Sequence, residues 1–97
     1  MRASSEMKDI PSAEEVPLLF LAFLLGDDDR RDNFMATSGL AADELRTRLE
    51  DEHFKAFLLD YALSDEHLIT SFAEQHDLDP HIILKARRKF PGAEFET

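Results

Sequence analysis

The chain has no cysteine. That excludes a disulfide scaffold, a thiolate zinc site and a cysteine nucleophile. Glycine is scarce, with three in 97 residues, and no glycine-rich phosphate loop occurs. A membrane-spanning helix needs about 20 apolar residues. The most apolar run here, Val16 to Leu25, has 10 and contains Pro17. Positive charge is also in short supply. Eleven Lys and Arg stand against 21 Asp and Glu, for a formal net charge of −10. The long-range field of such a chain repels nucleic acid and anionic membrane alike. What is present is a substantial apolar fraction, 43% of residues. A disordered chain could not carry so much, and a length near 100 residues predicts one domain with one core.

The run VPLLFLAFLL is preceded by Glu14 and Glu15 and followed by Gly26-Asp27-Asp28-Asp29. A secretory signal needs a basic region before such a run and small residues after it. The run therefore reads as a buried core helix, and the protein as cytoplasmic. The alternative is that this run docks on a partner.

Helix punctuation organises the rest. Residues 1–11 are polar and aperiodic and read as a disordered arm. Ser12 with Glu15 fits a capping box for a first helix that ends at Leu25, although Pro17 also permits a start near Val16. The aspartates at 27–29 open a second helix over 28–38, closed by Gly39. A third is expected over 42–50. Asp51 caps a fourth over 52–63, Ser64 a fifth over 65–76, and Asp79-Pro80 a sixth that ends near Phe90. Pro91-Gly92 cannot continue it, so 93–97 is a flexible tail. No strand alternation with hairpin signals occurs. The fold class is all-α.

The chain also aligns with itself. Residues 16–49 overlay 54–87, with Leu21 on Leu59, Leu25 on Leu63, Asp27 on Asp65, Phe34 on Phe72 and Leu40 on Leu78. The pairs fall on expected core positions and helix starts. The expectation is a six-helix bundle built from two similar three-helix units, with the two apolar first helices facing each other.

Ala73, Asp77, Leu78 and Ile83 stand at the spacings of a helix-turn-helix corner. The helix after that turn carries Lys85, Arg87, Arg88 and Lys89, a candidate contact for nucleic acid or a partner. Against the nucleic-acid reading, the cations sit at the helix C-terminus, whereas recognition helices read bases with their N-terminal residues. Here those are Pro80, His81 and Ile82. Residues 1–78 also hold 7 basic and 18 acidic side chains. The bland reading is an αα corner whose cations complement the helix dipole.

Other constellations are structural on their face. His53, His67, His76 and His81 form no His-x-x-x-His pair and read as exposed histidines. Asp27, Asp28, Asp29 and Asp32 lack the ligand spacing of a calcium loop. Phe34, Phe54, Phe57, Phe72 and Phe90 read as core. No nucleophile elbow surrounds Ser12, Ser38, Ser64 or Ser71. No cofactor, metal or catalytic residue is expected.

Phe23-Leu24-Leu25, Phe34, Thr37-x-Gly39-Leu40, Leu45-Arg46, Phe57-Leu58-Leu59-Asp60-Tyr61, Asp65-Glu66 and Leu78-Asp79-Pro80 together resemble a small, mainly alphaproteobacterial family, domain of unknown function 3572. The resemblance covers about Val16 to Phe90. It implies a helical fold and a bacterial cytosolic setting, and it supplies no activity or site residues. Ala41-Ala42 stands where many relatives carry Asp-Pro, so the third helix has lost its best cap. The functional expectation is a non-enzymatic protein-interaction domain that binds a protein partner or self-associates, with no membrane role. The alternative is an accessory DNA-binding protein using Ala73 to Lys89. The acidic body also favours a basic protein over a second acidic one.

Overall fold

The computed structural model describes residues 10–92. They form six helices: α1 Glu15–Leu25, α2 Asp28–Ser38, α3 Ala42–Arg48, α4 Glu52–Leu63, α5 Glu66–His76 and α6 Ile82–Arg87. No strand occurs among the described residues, and no helix is long and apolar enough to cross a membrane. The all-α expectation stands. The expected tail, and all but Ile10 and Pro11 of the expected arm, lie outside the described residues.

Local chemistry sets the helix starts. The Ser12 N–H donates to Glu15 Oε1 at 2.8 Å, and the Glu15 N–H donates to Ser12 Oγ at 3.3 Å, a reciprocal capping box. Pro17 then lies inside the helix, where its missing N–H costs one backbone bond. Its ring is fully buried. Asp27, Asp51 and Asp65 each accept a backbone N–H from the first turn of α2, α4 and α5. Asp65, not Ser64, caps α5. The Ser64 hydroxyl instead donates back to the Tyr61 carbonyl at 2.6 Å and closes α4. Before α3, Glu44 Oε1 accepts the Ala41 N–H at 2.7 Å. Ala41 has no side-chain acceptor to return the bond, and α3 runs only to Arg48 rather than Glu50.

The centre of the fold is α4, against which α1, α5 and α6 pack, while α2 packs on α1. The two apolar first helices of the expected units do face each other. Phe20 and Phe23 of α1 meet Phe72 of α5 edge-on, with ring centroids 5.5 and 5.6 Å apart. Phe34 of α2 reaches the Tyr61 ring of α4 at 5.2 Å. The helix packing does not confirm the expected repeat of two three-helix units, although some of the paired positions behave alike. Phe34 and Phe72 are fully buried, and Gly39 and Asp77 are both left-handed. The third helices differ. α6 packs closely on α4 and also touches α1, whereas α3 packs less closely on every other helix. Phe57 is a correction to the expected core. It is 36% exposed, because it covers the rings of Phe34 and Phe54 from the solvent side.

Lys55 ties the start of α1 to α4. Its Nζ lies 2.8 Å from Glu14 and 3.4 Å from Glu52, and its side chain is only 12% exposed. The hydrogen bond to Glu14, opposed by burial and helped by Glu52, raises its pKa above the ordinary lysine value of 10.5. A pKa raised by folding means stabilisation present at neutral pH and lost as pH climbs past 10.5 through the raised value. The expected size is about 1 kcal/mol. Melting midpoints of the wild type and Lys55→Met should differ by a constant gap up to about pH 10 and converge above it. A gap that persists to pH 11.5 would count against this.

Candidate functional site

The corner between α5 and α6 forms as its spacing predicts. Asp77 takes the left-handed conformation, with φ 56° and ψ 49°. The Leu78 N–H then donates to the Ala73 carbonyl at 2.8 Å and the Asp77 N–H to the Glu74 carbonyl at 3.3 Å, the paired closure of a Schellman motif. Ala73 is buried, and Ile83 is fully buried on the facing helix. Asp79 Oδ1 accepts the His81 N–H at 2.8 Å. It caps a turn through Pro80 and His81, and the α-helix proper begins at Ile82.

Burial divides the four cations of this segment. Lys85, Arg88 and Lys89 are exposed. Arg87 is not, and this corrects its place among the candidate contacts. Its side chain is 5% exposed, with Nε 2.7 Å from Asp60 Oδ1 and Nη2 3.3 Å from Asp60 Oδ2. Its Nη1 donates to the Phe90 and Pro91 carbonyls at 3.3 and 2.9 Å. One guanidinium thus joins α4, α6 and the turn beyond. The same turn shortens α6: the Lys89 and Phe90 N–H groups reach back three residues instead of four, so the helix stops at Arg87 rather than near Phe90. Gly92 lies against this guanidinium with φ 95°, and a Cβ there would stand 2.8 Å from Arg87 Nη2. In the sequence, Arg87 shares the inward spacing of Ile83, Ala86 and Phe90, which signals burial. Its partner Asp60, 27 residues earlier, leaves no local signal.

Lys85 and Lys89, one helical turn apart, flank a shallow cleft of about 170 Å³ lined by Pro11, Val16, Ile82 and Ala86. A second hollow, about 160 Å³, lies on the other side of Lys85 between Leu78 and Ile82. Ile10, 74% exposed, lines both. Most cations elsewhere have companions. Arg31 has Asp28 at 3.1 Å, Lys55 has Glu14, and Arg30 lies 4.2 Å over the Phe23 ring. Among the described residues Lys85 and Lys89 make no ion pair.

The remaining candidates fall to structural roles. Asp27 caps α2 and Asp28 holds Arg31. Among the described residues no cluster of His, Asp and Glu is placed to hold a metal ion. His53, His67 and His81 are exposed, but His76 departs from that expectation. Its ring packs on Phe72 with centroids 4.8 Å apart, and its Nε2 is buried without a hydrogen-bond partner among the described residues. The chain matches no curated protein and no solved structure. A family model does match residues 11–93, and the chain belongs to that family, described as Protein of unknown function (DUF3572).

Proposed function

We propose that the protein is a non-enzymatic interaction domain that takes an acidic, apolar-centred segment of a partner protein on the α6 edge. The observation that carries this is the pair Lys85 and Lys89, exposed and without ion pairs among the described residues, over an apolar cleft in a chain with 21 carboxylates. The net charge argued for a basic partner, but net charge acts at long range. At physiological salt the field falls off over about 8 Å, so local cations set what is favoured at contact. One aliphatic side chain buried in the cleft contributes about 2 kcal/mol. Each rim ion pair adds less than about 1 kcal/mol and mainly fixes register and on-rate. Binding of this kind is weak and transient.

A labelled hexapeptide of Glu and Asp around one leucine is the probe. Its titration should shift the amide resonances of Ile82, Lys85 and Lys89, weaken as salt rises, and disappear in Lys85→Glu/Lys89→Glu. Shifts centred elsewhere, or binding indifferent to that charge reversal, would overturn the reading. The second reading, DNA binding, draws on the well-formed corner at Ala73 to Ile83. A duplex binding at low salt more tightly than the acidic peptide, with loss on the same charge reversal, would favour it instead.

A further inference from the structure

We propose that Glu94-Phe95-Glu96 of this chain binds its own α6 edge, an inference that rests on that edge taking acidic, apolar-centred segments. Phe95 enters the cleft between Lys85 and Lys89, and the segment competes with a partner for it. The described residues end at Gly92, and the sequence continues Ala93-Glu94-Phe95-Glu96-Thr97. That stretch has the chemistry the edge selects: one large apolar side chain with a carboxylate on each side. The cleft, about 170 Å³, is lined by Val16, Ile82 and Ala86 and flanked by the two lysines. Ile82 and Ala86 are buried, whereas Lys85 and Lys89 are exposed. The site suits a single side chain held by charges at its rim, not a whole helix.

Three observations select this occupant. The first is charge. Residues 10–92 carry 9 Lys and Arg against 17 Asp and Glu, so most of that surface repels two further carboxylates. Arg46 and Arg48 are also exposed and without an ion pair among the described residues. They lie on α3, which does not pack closely on α6. The second is reach. Gly92 follows Lys89 by three residues, so their Cα atoms are at most about 10 Å apart. Phe95 follows Gly92 by three more, enough to return its ring to the Lys89 end of the cleft. The third is composition. The other stretch outside the described residues, 1–9, sets Arg2 and Lys8 against Glu6 and Asp9 and has no aromatic ring. Covalent attachment supplies the remainder. A segment joined a few residues away meets its site at an effective concentration in the roughly millimolar range. One side chain with two rim ion pairs corresponds to a Kd of about 1 mM, so the cis contact forms readily and still yields to a tighter partner.

Phe95→Ser in the full chain tests this, because it lies beyond α6 and leaves the net charge unchanged. The acidic hexapeptide should bind Phe95→Ser about threefold more tightly than the wild type, since its tethered competitor is gone. Without peptide, the amide resonances of Val16, Ile82 and Lys85 should differ between the two proteins, although all three are far from residue 95 in the sequence. The difference should vanish when both proteins also carry Lys85→Glu/Lys89→Glu. A contact within one chain is independent of concentration, so the difference should survive dilution of about tenfold. Resonance differences that shrink on dilution would show the segment reaching a second copy and would overturn the cis contact. Equal peptide affinity for the two proteins, or resonances that match throughout, would overturn it as well. Should the peptide bind neither protein, the α6 edge loses its role in taking a partner segment, and the resonances alone decide the cis contact.

Discussion

Asp60→Ala is expected to destabilise the protein by about 3–5 kcal/mol, the range for stripping the partner from a buried charge. The two ends of this ion pair are unequal. Asp60 is 51% exposed, whereas the Arg87 side chain is 5% exposed. Without Asp60 the guanidinium loses both of its bonds to that carboxylate and has little access to water. Without Arg87 the carboxylate is simply hydrated. Arg87→Met should therefore cost less, about 2–3 kcal/mol. That cost comes from the carbonyls of Phe90 and Pro91 losing their donor and from the loosened turn at Gly92. The double variant Asp60→Ala/Arg87→Met should lie well below the sum of the two, because the charge left buried in the first is gone. Urea unfolding of the three variants measures this directly. Asp60→Ala within 1 kcal/mol of wild type, or strict additivity, would show that the pair does not hold α4 to α6.

That ion pair also marks where the sequence stops being readable. Much that is governed by neighbours within four residues could be read: the capping box at Ser12 and Glu15, the aspartate caps at 27 and 51, and the left-handed residues Gly39 and Asp77. The near misses are local competitions. Ser64 and Asp65 are both good caps, and the choice falls to Asp65 because the Ser64 hydroxyl takes the Tyr61 carbonyl. The larger misses come from contacts between distant segments. Arg87 read as one of four surface cations although its spacing points inward, because the carboxylate that balances its charge, Asp60, is remote in the chain. His76 is a local miss instead: its cover, Phe72, stands one turn earlier on the same helix. The direction of α1 was hidden for the opposite reason. A helix apolar on every side has no periodicity, so nothing distinguished the buried Phe20 and Leu24 from the exposed Leu18 and Leu25. The α6 edge was half legible: the cations showed in the sequence, but the cleft between Pro11 and Ile82 required the fold.

The second large effect is expected at Phe34. Helix α2, DDRRDNFMATS, is polar almost throughout, and Phe34 is its one buried residue. That ring is fully buried and sits against Tyr61 and Phe57 of α4, with Met35 half-buried beside it. Phe34→Ala removes the main apolar anchor of a whole helix and should cost about 3–5 kcal/mol, within a total domain stability of about 5–15 kcal/mol. The loss should also be uneven. What remains of α2 is the Asp27 cap, the cation over Phe23 and half-buried Met35, too little to hold an isolated 11-residue helix, which is marginal in water. Amide exchange in Phe34→Ala should therefore quicken most across the last two turns of α2, while the amides of α4 keep more of their protection. Phe72→Ala gives the contrast. Its helix retains buried Ala73 and half-buried Leu68 and Ile69, and Phe72 itself meets both α1 rings. Its removal should weaken the whole core together rather than release α5 alone. If Phe34→Ala instead raises exchange evenly in α1, α2 and α4, then α2 is held by more than its one ring, and the fold opens only as a unit.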